Sequence, residues 1–273
     1  MSKMTTMKKM NMNNIVTRIL TFLIIIALLE SCANDELTPY YGNETNQPGK
    51  VVIIGYSAFN DSLQISVDGK PIEIGKDKKT AFIKKIEKEY EFVYHGKEEK
   101  TIKITNKVTK ELLRTYHFSS LTPKDTLSFF AKEKLWVDKV TSLKPGILSK
   151  QGNNGFKFIF PTQNRYSNSG YEGKLDGIIR KINGQVLGVV ENISKDQFSP
   201  FIEFPFSSPP TIIMELVKHG TTESYVTGKK ITVTLTMSVN KSKLIVLEEK
   251  QDANGAFSGV DGNLNLVDYF VFK

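Results

Sequence analysis

Asp61-Ser62-Leu63-Gln64-Ile65-Ser66-Val67-Asp68-Gly69-Lys70-Pro71-Ile72-Glu73-Ile74 reads as a β-hairpin. Leu63, Ile65 and Val67 alternate with polar residues, and Ile72 and Ile74 resume the alternation after Asp68-Gly69. That dipeptide suits the positive φ angles of a two-residue hairpin turn, and period-two alternation marks a strand with one face buried. Outward from the hairpin, similar strand-length runs follow at Tyr90/Phe92/Tyr94, Ile102/Ile104, Leu112 to Phe118 and Leu127 to Phe130. Helical spacing never persists beyond a turn or so, which favours an all-β chain.

Around Leu143 to Gly155 the pattern breaks into Lys144-Pro145-Gly146 and a run of turn formers ending in Asn153-Asn154-Gly155, the signal of a domain boundary. Strand patterning restarts at Phe156/Phe158/Phe160 and continues through Leu175 to Ile182, an Asn183-Gly184 turn, and Val186 to Val190. Ile231/Val233/Leu235/Met237 alternate with Thr and Ser, and Leu244 to Leu247 and Leu264 to Phe272 complete the set. This pattern implies a core on one face of each sheet. Both halves follow the order strand, polar loop, strand, Asx-Gly turn, strand. The expected architecture is two tandem antiparallel β-sandwich (Ig-like) domains, residues 50–143 and 144–273, behind a signal segment (1–31) and a polar tether (32–49).

The first 31 residues read as a secretion signal. Lys3, Lys8, Lys9 and Arg18 precede an apolar run, Ile19 to Leu29, too short to cross a bilayer. Leu29-Glu30-Ser31-Cys32 resembles the lipobox of bacterial lipoproteins, in the looser Leu-x-Ser-Cys form found in Bacteroidota. The resemblance implies a lipidated Cys32, and Asp35 and Glu36 resemble the acidic export signal of that phylum. Attachment to the membrane through the lipid on Cys32, at the surface of the bacterial outer membrane, is the localisation this implies. Cys32 is the only cysteine, so internal disulfides and cysteine metal sites are excluded. Through Asp61–Lys70 and Lys181–Gly188 the remainder resembles the uncharacterised β-sandwich domains of Bacteroidota surface lipoproteins.

Without the signal segment the chain carries a formal charge of +5, against +8 for the whole. The stretch from Lys70 to Arg114, with 13 basic and 8 acidic residues, has a surplus of the same size. It reads either as a patch for acidic glycans, lipopolysaccharide or nucleic acid, or as a solvated face of interspersed signs. No aromatic-plus-basic motif accompanies it, so nucleic acid is not an expected partner.

Chemistry is signalled mainly by absence. His95, His117 and His219 lack metal-ligand spacing, and no His-Glu-x-x-His, phosphate-binding glycine loop or nucleophile elbow occurs. No cofactor and no catalytic residue is expected. Asn164, Arg165, Tyr166 and Tyr171 lie in a loop that pairs aromatic faces with planar hydrogen-bonding groups, as saccharide sites do. An ordinary polar loop with a tyrosine packed down is the competing reading. A single tryptophan, Trp136, argues against a dedicated carbohydrate-binding module. Asp252, Asn254, Asp261 and Asn263 offer oxygen ligands without EF-hand spacing, so they read as weak metal candidates or as plain turns. Phe198, Phe201, Phe204 and Phe206, in a segment interrupted by Pro200 and Pro205, read as packing near a sheet edge or as a docking patch. Asp61-Ser62-Leu63 and Asp125-Thr126-Leu127 resemble acceptor triplets for O-glycosylation in exported Bacteroidota proteins. The function these features suggest is a non-enzymatic binding or accessory subunit of an outer-membrane complex, engaged in glycan or nutrient uptake. The alternatives are a structural or adhesive protein with spacer sandwiches and a surface hydrolase.

Overall fold

Sixteen strands form among residues 46–272, which the computed structural model describes; Cys32, Asp35 and Glu36 lie outside the described residues. The opening hairpin forms at the expected turn. β2 (Leu63–Val67) has the burial alternation of its sequence and is followed by β3 (Lys70–Pro71), with Asp68 and Gly69 both at positive φ. β3 is only two residues long because Pro71 has no N–H to continue the ladder.

The first sandwich also contains β1 (Asn46–Ser57), β4 (Lys84–His95), β5 (Glu99–Asn106), β6 (Leu112–Ser119), β7 (Lys124–Lys132) and β8 (Leu135–Asp138). Its sheets have the orders β4-β1-β7-β8 and β3-β2-β5-β6. The second contains β9 (Asn153–Ile159), β10 (Leu175–Lys181), β11 (Val186–Ile193), β12 (Ile202–Pro205), β13 (Thr211–Lys218), β14 (Thr232–Thr236), β15 (Lys241–Gln251) and β16 (Phe257–Asn265). Its sheets have the orders β12-β9-β15-β16 and β11-β10-β13-β14, the same topology eight strands later. The fold is all-β, in two sandwiches.

Four expectations need correction. The sandwiches are not purely antiparallel, because β1 pairs with β7 and β9 with β15 in parallel. β1 begins at Asn46, inside the stretch read as tether. A Cβ on Gly49 would lie 2.3 Å from the Phe92 ring, so the bare glycine accommodates an aromatic side chain from the neighbouring strand. β13 was missed because Ile212, Ile213, Met214, Leu216 and Val217 form a nearly continuous apolar run without alternation. Leu264–Phe272 is not one strand: β16 ends at Asn265, and Leu266–Asp268 is a turn of 3-10 helix capped by the Asn265 side chain.

The core is not confined to one face of each sheet either. Leu127, Phe129 and Ala131 on β7 point into the first sandwich, whereas Phe130 points out of it. On β15, Ile245 and Leu247 face the second sandwich, whereas Leu244 and Val246 face away. The outward residues meet. Phe130, Leu135, Val137, Ile159, Leu244, Val246, Leu264 and Leu266 form a third core joining the sandwiches, with the Tyr56 and Phe130 rings against Tyr269. Four sheets are thereby stacked, with β4-β1-β7-β8 and β12-β9-β15-β16 back to back. Lys132 and Glu248 close the same boundary with an ion pair at 3.2 Å.

Candidate functional site

The loop from Thr162 to Lys174 is organised from below by one carboxylate. Glu249 is buried, and its oxygens accept hydrogen bonds from the backbone N–H groups of Asn164, Tyr166 and Ser167 (3.1, 2.7 and 3.0 Å), the Ser167 hydroxyl (2.6 Å) and the Tyr225 hydroxyl (2.9 Å). A buried charge is tolerated where its lone pairs are filled in this way. Burial, reinforced by the Glu249 charge, raises the Tyr225 hydroxyl far above the usual tyrosine range, so it remains a donor.

The four loop residues have different fates. Asn164, at positive φ, uses its amide within the loop, donating to the Tyr171 carbonyl and to Glu172 at 2.8 Å each. Tyr171 packs against the second core and donates its hydroxyl to the Lys174 carbonyl at 2.9 Å. Tyr166 is half-buried, with its N–H on Glu249. Arg165 leaves the loop and donates to the Lys134 carbonyl of the first sandwich.

Arg165 thereby reaches a cleft of about 760 Å³ at the boundary between the sandwiches. The first sandwich contributes Arg114, Lys134, Trp136, Asp138 and Lys139. The connecting segment adds Ser142 to Lys144, and the second sandwich adds Lys157, Arg165, Lys195 and Asp196. The Trp136 ring is stacked on Phe129 (centroids 4.9 Å apart), and the Arg114 guanidinium lies over it at 5.5 Å. The indole N–H donates to Asp138 at 2.8 Å and to the Tyr116 hydroxyl at 3.0 Å. Tyr116 in turn donates to Asp138, and burial together with that contact keeps its hydroxyl protonated. Of the polar and charged cleft residues, sequence reasoning singled out only Arg165 as a ligand candidate. They come from separated strands and form no local motif; the one available signal was the lone tryptophan.

The other candidates resolve into local structure. Asp252 accepts from the N–H groups of Asn254 and Ala256 in the β15–β16 turn, and Asp261 accepts from Asn263 N–H. Asp261 stands opposite Glu248, four residues before Asp252 along β15, roughly 13 Å away at strand rise. These oxygens therefore do not converge, which corrects the expectation of neighbouring ligands. Among the described residues no group of three His, Cys, Asp or Glu is placed to hold a metal. Phe204 packs in the second core, Phe198 against the shared core, and the Phe201 ring over Gly146 and Gly155, while Phe206 is partly exposed. The short β12 is an edge strand. Thr126 is exposed and Ser62 half-buried. In the lysine-rich stretch, Lys85 pairs with Glu87, and Lys100 with Asp68 and Glu98, giving a surface of interspersed signs.

No family model and no curated protein matches the chain. Solved structures with some likeness include family 41 carbohydrate-binding modules from streptococcal virulence factors, in a study of α-glucan recognition (15% identity, 72% of this chain and 92% of that one, TM-score 0.22). A candidate adhesin from Bacteroides ovatus shows 9% identity over 78% of this chain and 92% of its own, with a TM-score of 0.22. A family 26 carbohydrate-binding module from Eubacterium rectale Amy13K, in complex with maltoheptaose, shows 8% identity over 78% and 94%, with a TM-score of 0.20. At such scores the likeness carries no argument about this chain.

Proposed function

We propose that the protein is a non-enzymatic lipoprotein of the bacterial outer membrane that binds saccharide at the cell surface, as the binding or accessory subunit of an uptake complex. The observation that supports it is the cleft between the sandwiches. Its volume is in the range of small-ligand sites, it draws side chains from both sandwiches, and the apolar core beneath holds its walls together. The walls carry planar and cationic donors, which suit hydroxyl and oxyanion acceptors. Asp138, one of the two cleft carboxylates, is engaged by Trp136 and Tyr116 in positioning the wall.

The test is retention of the mature protein, in detergent, on immobilised oligosaccharides. Ser142 is exposed and lines the cleft, so Ser142→Trp fills it without altering charge. Binding by the native protein that this variant loses supports the reading; equal retention of both removes the cleft as the site.

A further inference from the structure

We infer that the ligand of this cleft is an acidic saccharide, held through a carboxylate or sulfate by two arginine forks, Arg114 and Arg165, one from each sandwich. The inference rests on the cleft being the saccharide site and adds the class of saccharide. Seven cationic side chains line the cleft against two acidic ones. Lys195 is paired with Glu172, and the Lys157 ammonium donates to the Lys144 carbonyl. Among the described residues, Arg114, Arg165, Lys134, Lys139 and Lys144 form no ion pair with any carboxylate. Other surface lysines, Lys70, Lys88 and Lys107 among them, are likewise without a carboxylate partner among the described residues; what sets the cleft apart is that seven cations share one concavity. A concave site lined by uncompensated charge of one sign attracts the opposite charge and concentrates it.

The arginines sharpen the choice of anion. Arg114 lies over an indole that is itself fixed by the Phe129 stack and by the hydrogen bonds of its N–H. That contact places its guanidinium at the cleft wall before any ligand arrives. Arg165 is positioned by one bond to a neutral carbonyl, which consumes little of its five-donor capacity. A planar fork held by neutral partners is suited to bidentate recognition of an oxyanion, which a lysine cannot reproduce.

Calorimetric titration of the mature lipoprotein in detergent, with oligogalacturonate, a sulfated galactan oligosaccharide and a neutral malto-oligosaccharide of equal length, tests this. Binding of an acidic probe that weakens as salt is raised, with no comparable binding of the neutral one, is expected. The stronger of the two acidic probes then identifies carboxylate or sulfate as the source of the charge. Arg114→Lys and Arg165→Lys keep the charge and remove the fork, and each should weaken binding about tenfold. Lys85→Ala removes a charge outside the cleft and should leave affinity unchanged. Equal affinity for neutral and acidic probes overturns the charge inference while the saccharide cleft stands. Acidic binding that survives both arginine variants overturns the role of the forks. No binding of any of the three overturns the inference and the saccharide reading together.

Discussion

Glu249 receives five hydrogen bonds in a buried position, and three of them fix the backbone that delivers Arg165 to the cleft. Glu249→Gln places an NH2 group among donors. A loss of about 2–3 kcal/mol in urea denaturation is expected, as for other charged hydrogen bonds, together with weaker retention on saccharide. Glu248-Glu249-Lys250 in the sequence resembles an ordinary solvated charge run; only the pairing of β15 turns Glu249 inward. Asp176 shows the same logic with a pH signature. Burial alone would raise its carboxyl, but the Gly220 N–H, His219 and the Asn192 N–H together hold it below the ordinary range. Its contribution is therefore present above the unfolded value, about 3.9, and is lost as pH falls through the lower folded value. Asp176→Asn should cost about 1.5–3 kcal/mol near neutral pH, and the gap to wild type should close on acidification in a denaturation series. The role proposed for Cys32 predicts that Cys32→Ala moves the protein from the membrane to the soluble fraction, read by fractionation.

β7 and β15 are the elements that organise the molecule, because each is buried on both faces. Their sequences carry the trace of this: Leu127-Ser128-Phe129-Phe130 and Leu244-Ile245-Val246-Leu247 are nearly continuous in apolar residues, where a half-buried strand alternates. Phe130 is fully buried between the sandwiches, beside Tyr56 and Tyr269. Phe130→Ala should cost about 3–5 kcal/mol by calorimetry, the range for removing a core aromatic ring. The hairpins were legible, since Asp68-Gly69 and Asn183-Gly184 announce their turns locally. Pairing of β1 with β7 and of β9 with β15 was not. Those partners lie more than 70 residues apart, and apolar content does not specify a neighbour.

For the whole molecule, the shared core makes two sandwiches into one stack. Thermal unfolding in a single transition is expected. Val246→Asp buries an unpaired charge in that core and should split the melt into two transitions. A single transition at lower temperature would instead mean that the sandwiches stay coupled through their remaining contacts.

The sequence by itself determined what depends on near neighbours along the chain: an all-β class, the hairpin turns, and a break between Leu143 and Gly155. Period-two alternation and turn dipeptides act over a few residues, so they can be read without coordinates. Only the tertiary structure decided that the corresponding sheets lie back to back and that cationic residues from Arg114 to Lys195 converge on one cleft. Of the cations between Lys70 and Arg114 only Arg114 reaches the cleft, whereas the other cleft cations come from separate strands and loops. Stacking of the sheets brings them together, and that long-range packing has no local signature.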